Sequence, residues 1–212
     1  MKTILSLIRH GETEWNTLGR FQGCVDIELA PEGIVQANYL AKRIKDKFDI
    51  IYTSPLKRAV KTAEIIAKNR NMKPIIINDI REINFGEWEG LNVRDIEKNY
   101  PNEFIKWRND KEEAPICGGD LSIKMASKRA KDAILKIVND NKGRNIIIVA
   151  HGGIIKAGLI GIFGWDMTMY HKIILGNTSI CRIFFNDDMM PVVKTINDTS
   201  HLPDKYTIKS YV

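Results

Sequence analysis

The chain has little of what usually staples, ligates or anchors a protein. Among 212 residues there are only three cysteines, Cys24, Cys117 and Cys181, and no two stand at C-x-x-C spacing. A scattered, odd set does not build a disulfide framework, so reduced thiols in a cytoplasmic setting are expected. Histidines are as sparse: His10, His151, His171 and His201. None lies in an H-E-x-x-H pattern, and no acidic cluster of the kind that holds Mg²⁺ occurs, so neither a metal nor a cofactor is expected. No apolar run approaches the roughly 20 residues that cross a bilayer. MKTILSLIRHGE has a charged start but neither the apolar length nor the small-residue cleavage site of a signal peptide, and no membrane partner is expected. The net charge is +6. No basic block produces it, because the cations alternate with acids, as in KRIKDKF and RNDKEEA; a nucleic-acid partner is not expected. A basic balance also suits small anionic substrates.

What is present is an alternation of strand-like and helix-like segments, unbroken by any linker or repeat. This predicts one domain over residues 1–212. Ile4, Leu5, Leu7 and Ile8 form a short apolar run typical of a buried strand. PEGIVQANYLAKRIKDKF (31–48) reads as a helix with Pro31 near its start and Ile34, Ala37, Ala41, Ile44 and Phe48 on one stripe. DIIYT (49–53) is a strand, and Ser54 and Pro55 read as the cap and first turn of a helix reaching about Lys68. PIIIN (74–78) is a third strand. Residues 84–120 are aromatic, acidic and punctuated by Pro and Gly, and read as a cap-like insertion lying over the sheet edge. Their aromatics, Phe85, Trp88, Tyr100, Phe104 and Trp107, together with Trp15, would line a substrate pocket or form a small core. A long helix from about Ser122 to Asn139, the strand NIIIVA (145–150), a helix from GGIIKAGLIGIF and an antiparallel pair, SICRIFFN and MPVVKTIN, complete the chain. The expected fold is α/β: a three-layer α/β/α sandwich with a mostly parallel sheet.

Two strands end abruptly in histidine. LSLIRHGETEWN passes from the first strand into Arg9, His10 and Gly11, a glycine read as permitting an unusual backbone turn. IIIVAHGGI passes from the most apolar strand into His151, Gly152 and Gly153. Ligands gather at the carboxyl ends of strands in such sheets, where helix N-termini also offer free N–H groups to anions. In TSPLKRAVKTAE (53–64), Arg58 falls in the opening turns of a helix and can reach the same edge. Two permanently charged guanidiniums suit bidentate recognition of a phosphate. IREINFGEWEG (80–90) adds Glu82, Glu87 and Glu89, any of which can supply the proton a departing alkoxide needs.

RHGETEWN, SPLKRAVKTAE, REINFGEWEG and AHGG, in that order, resemble the histidine phosphatase superfamily, in the branch of the cofactor-dependent phosphoglycerate mutases and related phosphatases. NDTSHL (197–202) resembles a segment common among the phosphatase members. The resemblance implies a phosphoglycerate mutase-like fold and a metal-independent phosphomonoesterase acting on a small phosphorylated substrate. It makes His10 the nucleophile that becomes phosphorylated, with Arg9, Arg58 and His151 lining the phosphate pocket. Glu82 is then the general acid and later base. Asn16 and Gln22 are further polar contacts, and Gly152 contributes a backbone N–H. The compact insertion and the REINFGEWEG segment are similar to the phosphatases, including the α-ribazole phosphatase type, rather than to the mutases. The departure is GGDLS (118–122), where many of these phosphatases carry Gly-Gly-Glu-Ser. A mutase and a non-catalytic phosphate-binding regulator are the alternatives, and a metallohydrolase using the four histidines is disfavoured by their spacing.

Overall fold

The computed structural model describes residues 2–44 and 48–206. Its strands are β1 (Thr3–Arg9), β2 (Ile50–Thr53), β3 (Ile75–Ile76), β4 (Asn145–Ala150), β5 (Ile180–Phe185) and β6 (Pro191–Asp198). They form one sheet in the order β3-β2-β4-β1-β5-β6. The first four strands run parallel to one another, whereas β5 is antiparallel to β1 and β6 to β5. The helices are α1 (Glu14–Thr17), α2 (Pro31–Ile44), α3 (Lys57–Ala67), α4 (Val93–Asn99), α5 (Pro101–Asn109), α6 (Ile123–Asp140) and α7 (Gly152–Phe163).

The period-two geometry of a strand sends alternate side chains to opposite faces. Leu5, Leu7, Ile146, Ile148, Ala150 and Ile183 join a core with α6 and α7. Ile8, Ile51, Ile147, Val149 and Ile180 join a second core with α2 and α3. Each such aliphatic side chain contributes about 1.5–3 kcal/mol when fully buried, and a one-residue slip would send every one to the wrong face. Register is thereby fixed, with Ile8 opposite Val149 and Val149 opposite Thr53. Because β2, β4 and β1 are parallel neighbours, Ser54, His151 and His10 all leave the sheet at one edge.

The structure modifies several expectations. The helix expected over 31–48 runs Pro31–Ile44, and residues 45–47 lie outside the described residues. Ala37, Ala41, Ile44 and Phe48 are buried, but Ile34 is exposed. Gln36 is buried in its place because its Oε1 accepts the Glu12 N–H (3.0 Å). The strand expected over 74–78 shrinks to two residues, paired only with Tyr52 and Thr53 at the sheet margin. Ser54 and Pro55 do not open α3, whose cap position is Leu56. Ser54 is drawn into the site described below. The long helix starts as expected, with Ser122 Oγ accepting the Met125 N–H (3.2 Å). Within 84–120, Phe85, Trp88, Ile96, Trp107 and Ile116 join the core of α6 and α7 rather than lining a pocket. Trp88 and Trp107 meet edge to face at 5.3 Å, an arrangement the ring quadrupoles favour.

Candidate active site

His10 is buried, and its backbone N–H donates to Ala150 O (2.9 Å), tying the end of β1 to the end of β4. Its ring Nδ1 lies 2.6 Å from Gly11 O. A carbonyl only accepts, so Nδ1 carries the proton and Nε2 keeps a free lone pair. The turn is itself fastened: Gly11 N–H donates to Thr62 Oγ1 (3.1 Å), and that hydroxyl donates to Arg58 O (2.7 Å). Behind it, His10 O accepts from Thr178 N–H and Asn177 Nδ2, both at 3.2 Å. Gly11 is not needed for an unusual backbone turn, since its φ is not positive. It is needed for close approach: a Cβ there would lie 2.4 Å from Gly33 O, at the start of α2.

His151 is fully buried, and its ring centre lies 5.1 Å from that of His10. Arg58 Nε donates to His151 Nδ1 (3.1 Å). The proton of this imidazole therefore sits on Nε2, which donates to Ser54 Oγ (2.6 Å). The Arg58 guanidinium is held in place by Gly23 O and Val25 O, both 2.7 Å away. Its ligands are two carbonyls and a neutral ring, so its charge is left for the site. Burial, and then the Arg58 charge, hold both His10 and His151 well below the ordinary histidine range. Both rings are neutral at physiological pH. Ser54→Ala would leave the buried His151 Nε2–H without its acceptor and is expected to cost about 1–3 kcal/mol. Urea denaturation reads this directly, and an unchanged midpoint would remove Ser54 from the site.

Arg9 approaches from the end of β1, with Nη1 donating to Leu175 O (2.6 Å). Its Nε is buried without a partner, beside Gly152 at the start of α7. Glu82 is also brought to this point. Its Oε1 accepts from Ile83 N–H (2.9 Å) and Ile154 N–H (2.7 Å), and its Oε2 from Gly153 N–H (3.0 Å). The carboxyl group thus caps α7, where the helix dipole favours negative charge. Gly153 has to be glycine, because a Cβ would sit 2.7 Å from Glu82 Oε1 and 2.9 Å from the Tyr170 hydroxyl. The backbone around Glu82 is clamped by Arg129, which donates to Asp79 O, Arg81 O and Asp120 Oδ2. Asp120, the departure in GGDLS, also receives Arg81 Nη2 (3.1 Å) and Asn84 N–H (3.1 Å).

His10, His151, Arg9, Arg58, Glu82 and Gly152 therefore converge. Gln22 lies in the adjoining loop, buried, with Oε1 unpartnered. Asn16 Oδ1 accepts from Thr13 N–H, Thr13 Oγ1 and Asn177 Nδ2, each at 3.1 Å; this oxygen fastens α1 to the 177 loop, so a contact to phosphate would come from the amide Nδ2. Glu87 and Glu89 do not join the group. Glu89 Oε1 instead accepts from the backbone of Cys24 and Phe85. Sequence reasoning missed Ser54, Thr62 and Asn177. For Ser54 a signal existed, since it follows a strand that ends at the same edge as the two histidines.

Two buried neutral imidazoles thus lie beside two guanidiniums that, among the described residues, pair with no carboxylate. The chain belongs to the histidine phosphatase superfamily (branch 1), whose family model matches residues 5–199. It is similar to a histidine-to-alanine mutant of phosphoserine phosphatase from Entamoeba histolytica, solved in complex with phosphoserine. The identity is 42%, the TM-score 0.89, and the match covers 95% of this chain and 100% of that one. Phosphoserine phosphatase of that organism in complex with 3-phosphoglyceric acid matches with the same figures, 42%, 0.89, 95% and 100%. A metal-independent phosphoserine phosphatase from Arabidopsis thaliana is 30% identical over 203 residues, 94% of this chain and 83% of that protein.

Proposed function

We propose that this protein is a metal-independent phosphomonoesterase that hydrolyses a small phosphorylated metabolite of the phosphoserine type through a phosphohistidine at His10. The observation that carries the reading is the His10–Gly11 hydrogen bond, which fixes the tautomer with Nε2 free to attack. The names of the relatives support the substrate class, and Cys24, Cys117 and Cys181 as free thiols fit a cytoplasmic setting.

In this reading the phosphate oxygens lie against Arg9 Nε, Arg58 and the Gly152 N–H, which match the charge spread over the transferring group, and His151, its ring nitrogens taken by Arg58 and Ser54, lines the pocket and holds Arg58 toward the phosphate. His10 Nε2 attacks phosphorus as the P–O bond to the alcohol breaks. Glu82, which takes up a proton as the phosphate dianion enters beside it, gives that proton to the departing alkoxide. Water then attacks the phosphohistidine, Glu82 takes the water's proton, and the N–P bond breaks to release phosphate and free His10. Covalent catalysis divides one hard displacement into two easier ones. Residues 84–120 form the cap-like insertion over this edge.

The test is release of phosphate from O-phosphoserine in the presence of EDTA across mildly acidic to neutral pH. Activity is expected to survive the chelator. Because His10 is neutral down to a pH below the ordinary histidine value, kcat/KM should hold its plateau through about pH 6.5 and fall only in more acidic solution. A half-loss at or above that pH would contradict the buried, neutral nucleophile. Transfer of phosphate between phosphoglycerates without net release would make the protein a mutase. Phosphate binding without turnover would make it a regulator.

A further inference from the structure

A second group of cations stands beside the phosphate pocket and takes no part in the steps above. Lys156 lies on α7 one turn beyond Gly152, so its side chain runs along the face that Gly152 turns to Arg9. Its Nζ sits 3.9 Å from the centre of the Tyr170 ring. Tyr170 is buried, and its hydroxyl reaches the same point beside Gly153 as Glu82 Oε1. Arg108, from α5, completes the group. Its Nη1 donates to His171 Nδ1 (3.4 Å), and that ring donates from Nε2 to Trp107 O (3.0 Å), so a neutral histidine orients the guanidinium.

Among the described residues, none of Arg9, Arg58, Lys156 and Arg108 forms an ion pair with a carboxylate. Around Lys156 the charged groups are Arg9, Arg108 and one carboxylate, Glu82, whereas Arg9 also feels Glu12, and Arg58 also feels Asp26 and Glu89. A phosphate dianion offsets the charge of Arg9 and Arg58. The cations that remain call for a further anionic group on the same ligand. Lys156 shows this want directly: desolvation, and then the charge of Arg9, bring its pKa down to about 8. An ammonium over an aromatic face with no carboxylate in contact is a site for one.

We propose that Lys156, supported by Arg108, forms a carboxylate subsite that selects phosphomonoesters bearing a carboxylate close to the phosphate. This rests on the phosphatase reading and deepens it, making Lys156 a specificity residue rather than a catalytic one.

The experiment compares substrates that differ only in that carboxylate: O-phosphoserine against O-phosphoethanolamine, and 3-phosphoglycerate against glycerol 3-phosphate. The wild-type enzyme is expected to prefer the carboxylated member of each pair in kcat/KM. Lys156→Met keeps the apolar stem over Tyr170, and it should lower that preference about 10- to 100-fold, the effect of one lost charge-assisted hydrogen bond, with the change in KM rather than kcat. Lys156→Arg should restore most of it. Arg108→Gln, at an exposed position, should lower the preference in the same direction by a smaller factor. A preference that stays at its wild-type value in Lys156→Met and Arg108→Gln overturns the subsite, even if both rates fall together.

Failure of the phosphatase reading shows separately. If the wild type hydrolyses both members of each pair equally, the enzyme stands and the subsite falls. If it turns over none of them, calorimetric binding of 3-phosphoglycerate and glycerol 3-phosphate decides. Tighter binding of the first, lost in Lys156→Met, supports the subsite, and equal binding overturns it.

Discussion

His10→Ala is expected to lower kcat for O-phosphoserine by about four orders of magnitude or more, because it removes the atom proposed to accept the phosphoryl group. The cations proposed to bind the phosphate come from elsewhere. Arg58 is anchored by Gly23 O, Val25 O and His151, and Arg9 by Leu175 O, so neither depends on the His10 ring. Affinity for inorganic phosphate should accordingly remain while turnover disappears. Rapid denaturation during turnover of radiolabelled substrate should trap an acid-labile, alkali-stable phosphoryl group on the wild type and none on the variant. A variant that keeps turnover within about tenfold of wild type and still binds phosphate would place the nucleophile elsewhere.

The readable part of the site was the part carried by strands. A buried parallel strand is an apolar run, so Arg9, His10 and His151 stand out because each run stops at them. Parallel order then brings the two histidines to one edge, and the register of β1 on β4 sets them at one level. Arg58 was readable because helical spacing puts it within the opening turns of α3. The supporting residues were not readable in this way. Thr62 lies in the run of buried small residues on α3, and only its hydroxyl between Gly11 N–H and Arg58 O gives it a purpose. Ser54 looks like a helix cap because serine after a strand often is one, and only the position of His151 turns its hydroxyl elsewhere. For Asn16 the sequence suggested a polar contact to phosphate but not the tie its oxygen makes to Thr13 and to Asn177, a partner 161 residues away. Lys156 is the plainest case. One lysine in GGIIKAGLIGIF gives no sign that Tyr170 and Arg108, from later and earlier segments, will gather around it.

Glu82→Gln is expected to lower kcat for O-phosphoserine by about 10²- to 10⁴-fold, the usual worth of a positioned acid–base group. The substitution also disturbs the cap of α7. If the glutamine oxygen keeps the N–H groups of Ile83 and Ile154, its amide nitrogen faces the Gly153 N–H, donor against donor. A rate loss alone could then reflect a displaced loop, and the leaving group separates the two causes. The serine alkoxide needs a proton to depart, whereas p-nitrophenolate does not. With p-nitrophenyl phosphate the variant should release one equivalent of nitrophenolate nearly as fast as wild type. Later turnovers should be slow, because no base takes the proton of the water that attacks the phosphohistidine. Loss of that first burst together with steady-state turnover would mean that Glu82 holds the pocket in shape instead of moving protons. Unchanged turnover of O-phosphoserine would assign the acid to another group, and the Tyr170 hydroxyl, beside Gly153 and Glu82, would be the next to test.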